Sequence, residues 1–255
     1  MYINFDETGR CLPGELSAAA YATSRRYFLA HQPSVDTTEI LGRTSRTLGD
    51  PGISADEFES RIATLKEQVA ADSALEGLLG GVHVPFVLPQ DAISDIGDAL
   101  ESRYLPALGN AFDEVLPEYT FSAQVSTPLE DNVSVLPGSR HETLIAKLAE
   151  GPVVGIYAPC FTEYSLPAAL ERLSNLPESC LLSGGIDLVA AFIAAPNLLV
   201  RPEGYPPTLW LSALEGDKPG IGYHLEAYGA NLNLYRRAHL NQAAEYWWHG
   251  VTLLG

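Results

Sequence analysis

The spacing of apolar residues changes along this chain, and that change constrains the fold more than any other feature. Up to about residue 116 apolar residues recur at intervals of three and four, which is typical of one face of an α-helix. The segment 54–79 shows this most clearly, because it opens with the capping box of Ser54 and Glu57. We predict helices over 15–31, 54–79 and 90–116, the last bent or interrupted at Pro106.

Extended segments dominate the rest of the chain. We predict two further helices, over about 165–175 and 185–195, and strands over 119–126, 132–136, 152–158, 208–214 and 222–235. An earlier segment, 82–89, is also extended in pattern, but its proline excludes it from the centre of a sheet. The predicted fold class is α+β, with a helix-rich N-terminal half packed on a mostly antiparallel sheet formed by the C-terminal half.

The length and composition indicate a chain with a sizeable core. A protein of 255 residues, 46% of them hydrophobic, buries about three quarters of its unfolded surface. No low-complexity linker separates two halves, so we predict a single domain over 1–255. A stretch near 117–131, rich in Pro, Ser, Thr and acidic residues, is a weak candidate for a boundary.

The charge balance narrows the class of partner. The chain has 15 Lys and Arg against 32 Asp and Glu, a formal net charge of −17, which repels nucleic acid and anionic lipid. No apolar run approaches the roughly 20 residues that span a bilayer. We therefore expect the partner to be a small-molecule substrate or ligand, and not nucleic acid or a membrane. The sequence leaves open whether the chain forms a homo-oligomer.

The N-terminus and the cysteines favour the cytoplasm. The first residues lack the basic region and apolar run of a signal peptide, and the 3 cysteines cannot all pair within the chain.

Two arginine pairs, Arg25–Arg26 and Arg236–Arg237, have two interpretations. They are either part of a solvated face or a clamp for an anionic substrate, which the planar guanidinium suits.

The C-terminal region concentrates groups that transfer protons. Alternate residues of a strand share a face, so a strand through 222–235 places His224, Glu226 and Tyr228 side by side. Such a set can act as a base, its orienting carboxylate and a further proton donor. The structural alternative is a row of polar side chains on a solvated sheet.

The terminal segment 238–249 has the pattern of a helix of about three turns, in which Glu245 and His249 share a face. The same spacing serves metal sites and ordinary surface pairs. His224 and Glu226 could act as metal ligands, but no third ligand has a recognisable spacing, so we expect metal-free protein. No motif identifies a cofactor.

Two further residues are candidates for the same pocket. Cys160 ends an apolar strand ahead of a helix that Ser165 caps, where a helix N-terminus would lower the thiol pKa and favour a nucleophile. The structural alternative is an inert buried thiol. His83 lies in an apolar, proline-bearing segment where it could face a cleft or bond to backbone within the core. His141 is expected at the exposed start of a helix.

Three hypotheses for function follow from these residues. The first is a cytosolic small-molecule enzyme in which His224 transfers a proton, Glu226 orients it, and Tyr228, Cys160 and His83 complete the pocket. The second is a non-catalytic acidic binding or interaction protein whose partner surface is formed by Trp210, Trp247 and Trp248. The third is a metalloenzyme that uses His224 and Glu226 as ligands.

Overall fold

The computed structural model describes residues 4–201 and 203–255, and within them it has an α+β fold, as predicted. The α-helices are α1 Thr37–Thr47, α2 Ala55–Ala71, α3 Ile96–Ala99, α4 Leu105–Val115, α5 Glu142–Glu150, α6 Leu166–Leu173 and α7 Ile186–Ala194. A 3-10 turn covers Leu78–Gly80, and a π-helical turn over Leu100–Tyr104 joins α3 to α4. None of the helices in these described residues has the length and apolar composition needed to cross a membrane.

The strands form one large sheet and a small one. They are β1 Val84–Leu88, β2 Phe121–Gln124, β3 Ser134–Val135, β4 Val153–Thr162, β5 Cys180–Leu182, β6 Thr208–Trp210, β7 Leu214–Glu215, β8 Gly222–Tyr228, β9 Asn231–Arg237 and β10 Trp247–Leu254. The 8-stranded sheet has the order β1-β4-β10-β6-β8-β9-β2, with β5 also paired to β10. Only β10–β6 and β2–β9 among the pairs in this sheet are parallel, so the sheet is mostly antiparallel.

The core lies between this sheet and the helices. Every residue of α7 is buried, because α7 packs against β1 and β4 of the sheet and is covered by α1 and α4. A helix that is apolar all round requires such an enclosed position. Both halves of the chain contribute helices and strands, since β1 precedes the middle of the chain and α5, α6 and α7 follow it.

Local signals in the sequence locate several elements correctly. Ser54 caps α2 by accepting a hydrogen bond from the Glu57 N–H at 3.1 Å. Pro85 lies in β1, which is an edge strand, where a missing donor costs little. The π-helical turn immediately precedes Pro106, whose missing N–H and bulky ring disturb the regular α-helical ladder.

The helix predicted over 15–31 is wrong. This segment is irregular and bonds to distant backbone instead of to itself: the Tyr21 N–H donates to the Glu163 carbonyl at 3.0 Å, and the Ser165 N–H donates to the Ala19 carbonyl at 2.9 Å. Bridges at Ala20 and Phe28 continue this pairing. Tertiary pairing therefore overrides local helix propensity here.

The helix predicted over 238–249 is also wrong. Residues Trp247–Leu254 form β10, which has β4 on one side and β6 and β5 on the other. Helix α1 was not predicted, and of α5 only the start was. His141 does begin α5, as expected, but it is fully buried instead of exposed.

Candidate functional site

The strand β8 brings two of the predicted site residues into contact. His224 Nε2 lies 2.9 Å from Glu226 Oε2, and their side chains are 1% and 27% exposed. The hydrogen bond from His224 lowers the pKa of the Glu226 carboxyl. The two side chains project from one face of the strand, as predicted, and the pair has the geometry of an imidazole with an orienting carboxylate.

Tyr228 does not join this pair. It ends β8 beside the turn at Gly229, and its side chain is 78% exposed. Aromatic rings enclose His224 instead, with the Trp210 centroid at 4.8 Å and the Tyr235 centroid at 5.9 Å. The imidazole is therefore packed among rings, away from the tyrosine hydroxyl.

His249 lies on the same face of the sheet and is completely buried. Its Nδ1 is 2.7 Å from Ser212 Oγ, and its Nε2 is 3.1 Å from the Tyr164 carbonyl. Burial lowers the pKa of His249 to about 3, so the imidazole is neutral near pH 7. Because Nε2 must then donate to the carbonyl, Nδ1 accepts from the serine hydroxyl, and the arrangement fixes β10 to its neighbours.

Cys160 is in an environment that opposes a nucleophilic role. Strand β4 continues to Thr162, so the thiol lies within the strand and not at its end. Burial raises the pKa of Cys160 well above the usual range for a thiol. Ser165 caps α6, as predicted, but the helix does not produce the stabilised thiolate that a nucleophile needs.

A cleft with a volume of about 370 Å³ lies elsewhere, and we call it the Arg10 cleft. It is enclosed by a turn near the N-terminus, the irregular segment that follows it, the glycine-rich loop before β1, and the ends of β4 and β10. Its lining residues are Asp6, Glu7, Thr8, Gly9, Arg10, Leu12, Ala22, Thr23, Ser24, Arg26, Phe28, Leu29, Ala30, Gly81, Val82, Pro159, Thr162 and Trp248.

Arg10 lines the cleft and forms a buried ion pair with Glu163, which is not among the lining residues. Arg10 Nη2 lies 3.6 Å from Glu163 Oε2, and the two side chains are 5% and 4% exposed. Arg10 Nε donates to Thr162 Oγ1 at 3.0 Å, and the Ser24 hydroxyl donates to Glu163 Oε1 at 2.9 Å. Removing either charge alone would leave the other buried and uncompensated.

The turn that carries Arg10 requires a glycine at position 9. Asp6 Oδ1 accepts hydrogen bonds from the Thr8 N–H, the Thr8 hydroxyl and the Arg10 N–H at 2.9, 2.7 and 3.0 Å. Gly9 has φ +74°, and a Cβ added there would lie 2.3 Å from the Gly81 nitrogen. The two loops therefore approach one another more closely than any side chain permits.

Two residues other than glycine adopt left-handed backbone conformations beside the ion pair. Glu163 has φ +65° and Arg26 has φ +53°. Ser24 joins them, because its Oγ accepts from the Arg26 N–H at 3.0 Å while its hydroxyl donates to Glu163. Such conformations are strained for these residue types and cluster at functional sites.

The Arg10 cleft and the His224–Glu226 pair lie on opposite faces of the sheet. The Trp247 ring packs 4.8 Å from the Trp210 ring, which in turn packs against His224. Trp248 is the next residue of β10, so it points to the other face, where it lines the cleft. Among the described residues, the hydrogen bonds and ring contacts of His224 join it to Glu226, Trp210 and Tyr235, and not to Cys160 or His83.

His83 lies next to the Arg10 cleft in sequence, following the lining residues Gly81 and Val82. Its Nδ1 is 2.9 Å from the Gly81 carbonyl, and burial lowers the pKa of the imidazole. This contact matches the structural alternative for His83, a histidine bonded to backbone. Trp210, Trp247 and Trp248 are all buried, so they do not form an exposed partner surface.

A second buried polar cluster anchors the start of α7. Asp187 Oδ1 accepts from the Gly184 and Gly185 N–H groups at 3.1 and 2.9 Å, and Asp187 Oδ2 accepts from the Thr252 hydroxyl. His141 Nδ1 lies 4.0 Å from Asp187 Oδ1. The whole cluster is inaccessible, which is consistent with a structural turn.

The described residues contain no group of three or more His, Cys, Asp or Glu side chains that could hold a metal ion. The donor set that a metalloenzyme based on His224 and Glu226 would need is therefore not assembled in this part of the chain.

Comparison of the chain with protein-family models, with curated proteins and with solved structures finds no match. What this protein does must be inferred from its own residues.

Proposed function

We propose that this protein binds a small organic molecule in the Arg10 cleft. The observation that carries the proposal is a cavity of about 370 Å³ lined by Arg10, whose charge is held in place by a buried ion pair with Glu163. Pockets for small ligands usually measure roughly 300–1,000 Å³ and combine apolar walls with a few placed polar groups.

The lining has this mixed character. Phe28, Trp248 and Leu12 supply apolar and aromatic surface, while Ser24 and Thr162 supply hydroxyl groups whose positions are fixed by hydrogen bonds to the ion pair. Fixed polar groups orient a ligand, and the apolar surface contributes binding energy on desolvation.

The buried ion pair and the strained backbone beside it are energetically unfavourable, which supports a role beyond packing. A buried ion pair is weak evidence for stability, because well-packed apolar residues of similar volume usually stabilise a fold as well or better. The left-handed backbone at Glu163 and Arg26 adds further cost. Neither His224 nor Glu226 lines the cleft, so the proposal assigns binding and no chemical step.

A screen of soluble organic acids, amines, amino acids and alcohols by ligand-observed NMR tests the proposal. Ala22 is exposed and lines the cleft, so Ala22→Trp should fill part of the cavity without disturbing the core. Ala19 is also exposed but does not line the cleft, so Ala19→Trp is the matched control.

We expect compounds that bind the wild-type protein to bind Ala22→Trp at least tenfold more weakly and Ala19→Trp within twofold of wild type. Thermal melting of both variants verifies that they fold. A screen without any binder, or binders that Ala22→Trp does not affect, would show that the cleft is not a ligand site.

A further inference from the structure

Residues of opposite charge line the Arg10 cleft and come from different segments of the chain. Asp6 and Glu7 belong to the N-terminal turn, whereas Arg26 belongs to the irregular segment that closes another side. Arg26 and Glu7 are both exposed, so each can contact a ligand without leaving the protein interior.

Of the other charged residues in the cleft, Arg10 is already paired with Glu163, whereas Asp6 uses only one of its two oxygens for the three hydrogen bonds of its own turn. Among the residues that the structure describes, no carboxylate lies within ion-pair distance of Arg26. Its sequence neighbour Arg25, by contrast, pairs with Glu245 at 2.9 Å and does not line the cleft.

This separation distinguishes between classes of ligand. A simple anion would be attracted by Arg26 but repelled by Asp6 and Glu7. A simple cation would be attracted by Asp6 and Glu7 but repelled by Arg26. A molecule that carries both charges is attracted by Arg26 through its anionic group and by Asp6 and Glu7 through its cationic group. The aromatic surface of Phe28 and Trp248 is then available to an apolar substituent.

We infer that the ligand is a zwitterion of amino-acid type with an apolar side chain. Its carboxylate pairs with Arg26, its ammonium group lies toward Glu7 and Asp6, and its side chain packs on Phe28 and Trp248. This inference rests on the proposed function, since it names the ligand class of the same cleft.

Two matched sets of compounds test the inference with the full chain. The first set is L-phenylalanine, 2-phenylethylamine, which lacks the carboxylate, and 3-phenylpropanoate, which lacks the amine. The second set is L-leucine, 3-methylbutylamine and 4-methylpentanoate. We expect at least one of the two amino acids to bind at least tenfold more tightly than either of its analogues in isothermal titration or NMR titration.

Variants then assign each charge. Arg26→Gln should weaken binding of the amino acid at least fivefold without weakening binding of the amine analogue, which the arginine repels, and Arg25→Gln should change neither. Glu7→Gln should weaken the amino acid but not the carboxylate analogue. Glu76, which is exposed and does not line the cleft, provides the control Glu76→Gln.

The outcomes separate this inference from the proposed function. If neither amino acid binds, if an analogue matches each of them, or if Arg26→Gln and Glu7→Gln bind as wild type does, the zwitterion assignment is wrong. Cleft-directed binders from the broad screen would in that case still support the proposed function. If Ala22→Trp also leaves every binder unaffected, both fail.

Discussion

Replacing His249 with glutamine should remove a defined part of the dependence of folding stability on pH. Burial lowers the pKa of His249 to about 3, whereas an unfolded chain gives histidine its ordinary value near 6.5. Between these values the unfolded state binds a proton that the folded state does not. The free energy of unfolding therefore decreases as pH falls from 6.5 toward 3, and above pH 6.5 this residue adds nothing to the pH dependence.

The magnitude follows from the two pKa values. Each pH unit within the window is worth about 1.4 kcal/mol for one group. Integrated from pH 7 to pH 5, the contribution of His249 amounts to about 2 kcal/mol of lost stability. Glutamine is a close mimic, because its amide can donate to the Tyr164 carbonyl and accept from Ser212, yet it carries no titratable proton.

Urea denaturation followed by tryptophan fluorescence at pH 7, 6 and 5 measures this contribution. The carboxylates titrate in both proteins, so the informative quantity is the difference between the slopes for wild type and His249→Gln. A His249→Gln variant with the same slope as wild type would refute the assignment of a buried neutral imidazole.

Two further outcomes check the packing around the Arg10 cleft and β4. Iodoacetamide at neutral pH should leave Cys160 unmodified in the folded protein and modify it after denaturation, because the thiol is buried and its pKa is raised; rapid modification in the folded state would contradict this burial. Gly9→Ala should destabilise the fold by roughly 1–3 kcal/mol more than Gly14→Ala, because both have positive φ but only the Cβ at position 9 would collide with backbone. Equal unfolding free energies for the two variants would show that the loops do not approach as described.

Much of the local structure could be predicted because its causes are local. The cap at Ser54 and the apolar spacing behind it are sufficient to begin α2, although the helix ends at Ala71, well before the predicted residue 79. Period-two alternation places His224 and Glu226 on one face whatever the strand pairs with. The proline of β1 likewise excludes a central position in any sheet.

The segment 15–31 and β10 could not be predicted, because their conformations depend on partners distant in sequence. The backbone of residues 15–31 bonds to Glu163 and Ser165, and the strand at Trp247–Leu254 exists because β4, β5 and β6 offer it hydrogen bonds on both sides. A window of sequence contains none of these partners, so its helical periodicity was the only signal available.

Local sequence is enough to identify the chemical groups of this protein and the neighbours that share a face: an acidic chain, a His–Glu pair two residues apart, and an arginine pair that could engage an anion. Which of these groups line a cavity depends on contacts between segments that are distant in sequence. The Arg10 cleft gathers residues from the segments 6–12, 22–30, 81–82 and 159–162 together with Trp248, and the approach of these segments includes the close contact of Gly9 with Gly81. The alternation within β10 then sends Trp247 toward His224 and Trp248 toward the cleft, which places the cleft and the His224–Glu226 pair on opposite faces of the sheet.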